Sequence, residues 1–304
     1  MKTDMIKKIQ DLKLKNNAII LVHNYQLPEI QDIADFLGDS LDLSEKAQNT
    51  KADVIIFCGV DFMAESAKIL NPDKKVILPD ITAQCPMANM VNITKLLKIK
   101  KENPDAEVVA YINTTAIAKT HSDICCTSAN GIKIVKNLSS KKIIFIPDQN
   151  LGLYIQKQVP YKEMIIWPGI CATHNKIRKQ DILNLKKEHP KAEVLVHPEC
   201  KSEVIDIADY TFSTNGMVNH VKKSDSKEFI IGTEKEICYR LKKENPKKEF
   251  FPIKYSICPN MKKITLEKVL KSLQTLEPKI KLSEEIIQKA KKPLQRMMNI
   301  GRED

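Results

Sequence analysis

The sequence predicts an α/β protein: three three-layer α/β/α sandwich domains, related by a pseudo-threefold axis around one central site. Three observations carry that expectation: cysteines at a constant interval, a strand pattern in phase with them, and a proline at a near-constant offset behind each. Cys85, Cys171 and Cys258 stand 86 and 87 residues apart. An interval repeated at domain scale signals an internal repeat, which has to be read before any single element is assigned.

Each unit opens on a short, mostly β-branched run: Ile19-Ile-Leu-Val-His23, Val108-Val-Ala-Tyr111 and Val194-Leu-Val-His197. Unbroken apolar runs of this length suit strands buried on both faces of a parallel sheet. A hydroxyl follows seventeen residues after the last residue of each run, as Ser40, Ser128 and Thr214, each ahead of a helical pattern. A second run comes at Val54-Ile-Ile-Phe57, Ile143-Ile-Phe-Ile146 and Phe229-Ile-Ile231, and a third at Val76-Ile-Leu78, Met164-Ile-Ile-Trp167 and Phe250-Phe251. Then each unit reaches its cysteine. Pro104, Pro190 and Pro278 stand 19, 19 and 20 residues farther on, closing Lys- and Leu-rich amphipathic helices that proline cannot continue.

The unit therefore reads strand, helix, strand, helix, strand, cysteine loop, helix. Such alternation implies parallel sheets joined by right-handed crossovers, with ligands beyond the carboxyl ends of the strands. His23, Tyr111, His197 and the three cysteines fall at those ends, which predicts one shared site rather than three. The expected segments are 1–88, 89–174 and 175–262, followed by a helical segment 263–304 that packs across the domains.

A length of 304 residues suffices for two or three cores. No stretch approaches the roughly 20 apolar residues of a membrane span, and the N-terminal residues lack an apolar signal core, so a cytoplasmic protein without a membrane partner is expected. Forty-nine Lys and Arg against 38 Asp and Glu suit small anionic substrates. The lysines are dispersed, as at Lys98-Ile-Lys-Lys101 and Lys186-Lys187, without the basic run or aromatic interleaving of a nucleic-acid groove. No nucleic-acid partner is expected.

Eight cysteines in a reducing compartment point to metal or catalysis rather than disulfides. No Cys-x-x-Cys occurs, which removes the closely paired zinc motif and the tight cluster motif of radical enzymes, while zinc held by distant ligands stays open. Three thiolates, one per unit, meet the need of a [4Fe–4S] cluster whose fourth iron is open to substrate. Cys58, Cys125, Cys126, Cys200 and Cys238 share no phase and read as core or near-site residues, Cys200 being placed nearest because it follows His197-Pro198-Glu199.

Ser40, Ser128 and Thr214 read either as helix caps or, where three helix N-termini meet, as an anion site. His197 and Glu199, held by Pro198, form an acid/base pair in which Glu199 is the general base. His23 and Tyr25 form a second proton-handling pair. His174, close behind Cys171, reads as a satisfied structural histidine ahead of a ligand to another metal, and His121, His189 and His220 read as surface residues.

The segments His23-Asn-Tyr-Gln26, Gly38-Asp-Ser40, Cys85-Pro-Met-Ala88, Tyr111-Ile-Asn-Thr114, Cys126-Thr-Ser128, Pro147-Asp148, Gly169-Ile-Cys171, His197-Pro-Glu-Cys200, Gly232-Thr-Glu234 and Cys258-Pro-Asn-Met261 occur in this order. Together they resemble the signature motifs of the quinolinate synthase family. Phe212 and Glu236 depart from the pattern, standing where glycine is more usual. The resemblance implies condensation of iminosuccinate with dihydroxyacetone phosphate, with loss of phosphate and water, for NAD biosynthesis. It implies a cluster on Cys85, Cys171 and Cys258, and a substrate-binding set of His23, Ser40, Tyr111, Ile112, Asn113, Ser128, His197, Pro198, Glu199 and Thr214. An aspartate oxidase or dehydrogenase is the implied transient partner. A cluster-based sensor, or a hydro-lyase for another hydroxy acid, are the rival readings. A sensor has no need of this many polar strand-end residues, and product identification separates the hydro-lyase.

Overall fold

The computed structural model describes residues 2–303; Met1 and Asp304, the outer bounds of the first and last expected segments, lie outside the described residues. Twelve strands form three four-stranded sheets among these residues. The first sheet holds β1 (Ala18–His23), β2 (Phe36–Gly38), β3 (Val54–Cys58) and β4 (Lys75–Ile77). The second holds β5 (Glu107–Tyr111), β6 (Ile124–Cys126), β7 (Lys142–Ile146) and β8 (Glu163–Ile166). The third holds β9 (Glu193–Val196), β10 (Tyr210–Thr211), β11 (Glu228–Gly232) and β12 (Glu249–Pro252). Every strand pair is parallel, and the orders β2-β1-β3-β4, β6-β5-β7-β8 and β10-β9-β11-β12 are one topology three times over.

Each unit has one strand more than the three read from the sequence. The additions are the edge strands β2, β6 and β10, two or three residues long. So short a strand carries no readable alternation. An aspartate directs each of them instead. Asp35, Asp123 and Asp209 each accept the N–H of Ile20, Val108 or Val194 at 2.8 Å and return their own N–H to the same residue's carbonyl at 3.0 Å. The side chain thereby completes a two-way clamp that starts the edge strand in register.

In each sheet the chain runs from the first strand out to one edge and then crosses to the other side, so the ends of β1 and β3, and of their counterparts, flank a switch point. The central strands are apolar and buried over most of their length, and Val54–Cys58 is buried throughout. The helices Ile93–Glu102, Lys179–Glu188 and Leu266–Thr275 end before Pro104, Pro190 and Pro278, as the amphipathic pattern requires. Helix Leu266–Thr275 packs back on helix Lys2–Lys15, and helix Glu284–Ile300 lies against helix Asp61–Leu70 of the first unit and against helix Ala116–Thr120 and β6 of the second. Neither Phe212 nor Glu236 has the positive φ that would demand glycine. Among the described residues no helix is long and apolar enough to cross a membrane.

Candidate active site and cysteine cluster

Beyond β1, β5 and β9 the residues two apart, at positions i and i+2, share a side of the chain. They enter one cavity of about 180 Å³ as His23 and Tyr25, Tyr111 and Asn113, His197 and Glu199. Ile112 and Pro198, the residues between, are buried outside that lining, where the Ile112 N–H donates to the Cys126 carbonyl at 2.8 Å. In the first and third units the turn is closed alike. The Tyr25 N–H donates to His23 Nδ1 at 3.2 Å, and the Glu199 N–H to His197 Nδ1 at 3.3 Å. With Nδ1 accepting, a neutral imidazole carries its proton on Nε2.

Ser40, Ser128 and Thr214 line the same cavity. The capping expected of Ser40 and Thr214 falls to their predecessors. Asp39 accepts from the Leu41 and Asp42 N–H groups, and Ser213 from the Gly216 N–H. In the second unit Asn130 Oδ1 accepts from the Thr127 N–H and hydroxyl. The three hydroxyls are thus released from backbone duty. Ser128 Oγ meets His197 Nε2 at 3.2 Å, and Thr214 Oγ1 accepts from Asn24 Nδ2 at 2.8 Å.

Cys85, Cys171 and Cys258 enter the same cavity. A carboxylate at the end of the third strand holds each loop. The Cys85 N–H donates to Asp61 Oδ1 at 2.9 Å, that of Cys171 to Asp148 Oδ2 at 3.2 Å, and that of Cys258 to Glu234 Oε1 at 3.2 Å. Backbone pairing adds a second tie: the carbonyls of Ala83, Gly169 and Ser256, two residues before each cysteine, accept from Asp61, Gln149 and Lys235 at 2.9, 2.7 and 2.9 Å. At Gly169 the approach is so close that a Cβ would stand 2.4 Å from the Pro147 carbonyl oxygen, so only glycine fits. Asp148 and Glu234 fall within the motifs quoted above and Asp61 outside them, although the three carboxylates precede their cysteines by 23, 24 and 24 residues respectively.

His174, read as structural, is 1% exposed with partners on both ring nitrogens, and it also lies in the cavity wall. Its Nδ1 is 2.7 Å from Glu199 Oε2 and 3.2 Å from Cys171 Sγ; its Nε2 is 2.8 Å from Thr233 Oγ1 and 3.3 Å from the Tyr25 hydroxyl. The His174 ring also stacks on His197, with centroids 4.6 Å apart. Burial opposes a charge on Glu199, yet the His174 and His197 imidazoles outweigh it and hold the carboxyl well below its ordinary range. Burial pushes the Tyr25 and Tyr111 hydroxyls up, so both stay protonated. Cys200 sits in the core with its thiol on the Gly232 carbonyl at 3.3 Å, outside the cavity lining. His121, His189 and His220 are half-buried rather than fully exposed, and none lines the cavity.

Two donor sets could hold a metal. Cys171, His174 and Glu199 offer atoms within 4.8 Å of one another, but the short His174–Glu199 hydrogen bond already occupies two of them. The three thiols form the other set. Burial pushes all three up, so they become thiolates only with a cation to bind. No fourth cysteine lines the cavity among the described residues, which suits a group needing three soft ligands and one open position.

Burial lowers the His23 imidazole from 6.5 to about 4, with Asp39 opposing and the fields of His197 and Lys262 assisting. A depressed folded value means that the neutral form is favoured in the fold. Its stabilisation is complete above pH 6.5 and is lost as pH falls through about 4. The difference corresponds to roughly 3 kcal/mol. The Tm of the wild-type protein is expected to fall more steeply between pH 6.5 and 4 than that of a His23→Gln variant; parallel curves would refute this.

Residues 7–299 match the family described as quinolinate synthetase A protein. The chain is 53% identical over 296 residues to quinolinate synthase of Thermodesulfovibrio yellowstonii, covering 97% of this chain and 98% of that one. It is 50% identical to quinolinate synthase of Caldicellulosiruptor saccharolyticus with the same coverage, and 47% identical to that of Methanosarcina barkeri over 98% of both chains. With both partners of each match covered almost end to end, the three sheets, the shared cavity and its cysteines all lie within the matched region, and the chain belongs to the quinolinate synthetase A family, a family of enzymes.

Proposed function

We propose that this chain condenses iminosuccinate with dihydroxyacetone phosphate to quinolinate, releasing phosphate and water, as a step of NAD biosynthesis. One observation supports the reading above others: a single cavity receives one cysteine and one pair of polar strand-end side chains from each of three units. Cys85, Cys171 and Cys258 are assigned as ligands of a [4Fe–4S] cluster. When bound, its open iron supplies a Lewis acid to a substrate hydroxyl or carboxylate.

The other roles fall to side chains. His23, neutral and held through Nδ1, presents Nε2–H as a donor to an anionic oxygen. Ser40, Ser128 and Thr214 bind phosphate or carboxylate, and the N-termini of helices Ser40–Asn49 and Thr214–Lys223 add partial positive charge. Tyr111 and Asn113 contact the dicarboxylate, with Ile112 and Pro198 setting the turns that present their neighbours. Asn113 Oδ1 is buried without a partner, a vacancy that a substrate N–H would fill.

Proton transfer is assigned to Tyr25, His174 and Glu199, with His197 beside them. Donation of His174 Nδ1–H to Glu199 leaves Nε2 to accept from the Thr233 hydroxyl at 2.8 Å, which is itself 2.5 Å from the Tyr25 hydroxyl, so Glu199 acts as base through an imidazole it orients. The enzyme is placed in the cytoplasm, taking its imine from an aspartate oxidase or dehydrogenase as a transient partner.

The test is protein purified without oxygen, analysed for iron and acid-labile sulfide, then supplied with both substrates. About four of each per chain, with quinolinate and phosphate formed together, is the expected result. Zinc alone, or no metal after cluster reconstitution, would overturn the assignment.

A further inference from the structure

The last described residues, Gly301 to Glu303, follow helix Glu284–Ile300 and lie across all three units. Arg302 Nη2 donates to both oxygens of Asp39, at 2.9 and 2.8 Å, and to Asp42 Oδ1 at 2.7 Å; Nη1 donates to Ser213 Oγ at 3.1 Å. Ser213 Oγ in turn donates to Asp39 Oδ2 at 3.2 Å. The second unit holds the backbone. The Glu303 N–H donates to the Ala129 carbonyl at 2.9 Å, and Lys133 Nζ to the carbonyls of Ile300 and Arg302 at 2.8 and 3.3 Å.

Asp39, Ala129 and Ser213 are the immediate neighbours of Ser40, Ser128 and Thr214. Two of the three are also the caps that begin the cavity-lining helices. A single guanidinium therefore fixes the first and third hydroxyl loops against one another, and the next peptide group fixes the second. Asp39 is buried, and although burial opposes its charge, Arg302 holds it below the ordinary carboxylate range, so the tie is a charge-assisted one inside the protein. A planar fork bonded to three groups at once sets their spacing as a flexible ammonium does not.

We propose that Arg302 is a positioning residue: it clasps the three hydroxyl loops at the spacing that binds the anionic end of the substrate. This rests on the reading that Ser40, Ser128 and Thr214 bind that end. Arg302 contacts no reacting atom, and its contribution is preorganisation of groups that otherwise order only when substrate arrives.

The experiment compares steady-state kinetics with dihydroxyacetone phosphate and iminosuccinate for the wild-type holoenzyme and for Arg302→Ala, Arg302→Lys and Ser128→Ala. Arg302→Ala is expected to raise KM for one anionic substrate about tenfold with kcat changed by less than about threefold, and Arg302→Lys to fall between it and wild type. Iron and sulfide per chain should not move. A raised KM in Ser128→Ala beside an unaltered KM in Arg302→Ala overturns the clasp and leaves the hydroxyl site standing. An unaltered KM in Ser128→Ala overturns the hydroxyl site and the clasp with it. A lower Tm for Arg302→Ala at unchanged KM assigns the arginine to stability alone and also overturns the proposal. If Arg302→Ala does not fold, Lys133→Ala loosens the same segment from the second unit, with a raised KM expected and an unaltered one overturning the clasp.

Discussion

Protein carrying Cys171→Ser, purified without oxygen and reconstituted, is expected to hold less than a tenth of the wild-type iron and sulfide and to form no detectable quinolinate. A serine hydroxyl is a hard, weakly acidic ligand where a soft thiolate is required, and among the described residues three cysteines reach the cavity. The loop itself should survive the exchange. Its placement depends on the Cys171 N–H to Asp148 and on the Gly169 contacts, none of which involves sulfur. The metal-free variant should therefore melt within a few degrees of the metal-free wild type. Cys200→Ser is the matched control, because Cys200 is fully buried one residue beyond Glu199 yet stands outside the cavity lining; it should retain the full metal content. Loss of iron in both variants alike would remove the distinction drawn between ligand and core cysteines.

Glu199→Gln should lower kcat about 10³-fold while the visible spectrum and iron content stay as in the wild type. Glutamine keeps the size of a side chain that is 3% exposed, so the cavity shape is preserved and the charge alone is removed. Two effects then coincide. His174 loses the anion that orients its Nδ1–H at 2.7 Å, and the pair loses the site where an abstracted proton is stabilised. Because His174 Nδ1 also lies 3.2 Å from Cys171 Sγ, an unaltered spectrum would show that the ring freed from Glu199 has not turned onto the sulfur and that the loss lies in proton transfer. Turnover within about threefold of wild type, with the cluster intact, would assign the catalytic base elsewhere.

Much of this site was legible because it is written three times. A lone cysteine among eight carries little information, but three in phase with strand ends, hydroxyls and prolines fix both the topology and the convergence of the site. Where an element was missed, the cause was local. The edge strands are too short for periodicity, and the aspartates that start them, Asp35, Asp123 and Asp209, are themselves a triplet that marks the positions.

Asp39-Ser40 and Ser213-Thr214 each place two capping residues in tandem, and only the backbone decides which one stands at the cap: Asp39 and Ser213 are extended, while Ser40 and Thr214 are the first helical residues. His174 could not be read from its surroundings. Its helix is the single turn Ala172–Asn175, and its partners Tyr25, Glu199 and Thr233 come from two other units, so the contact exists only after the units assemble.

The repeated frame also bears on how such a pocket could arise. The three strand-end turns are counterparts in one topology, yet they carry His and Tyr, Tyr and Asn, and His and Glu. An ancestral ring of identical units would offer three equivalent walls, able to hold only what a threefold environment can hold. Once the copies were fused in a single gene, each wall could mutate alone while the sheets beneath stayed as they were. A reactant without symmetry can then be gripped in one orientation.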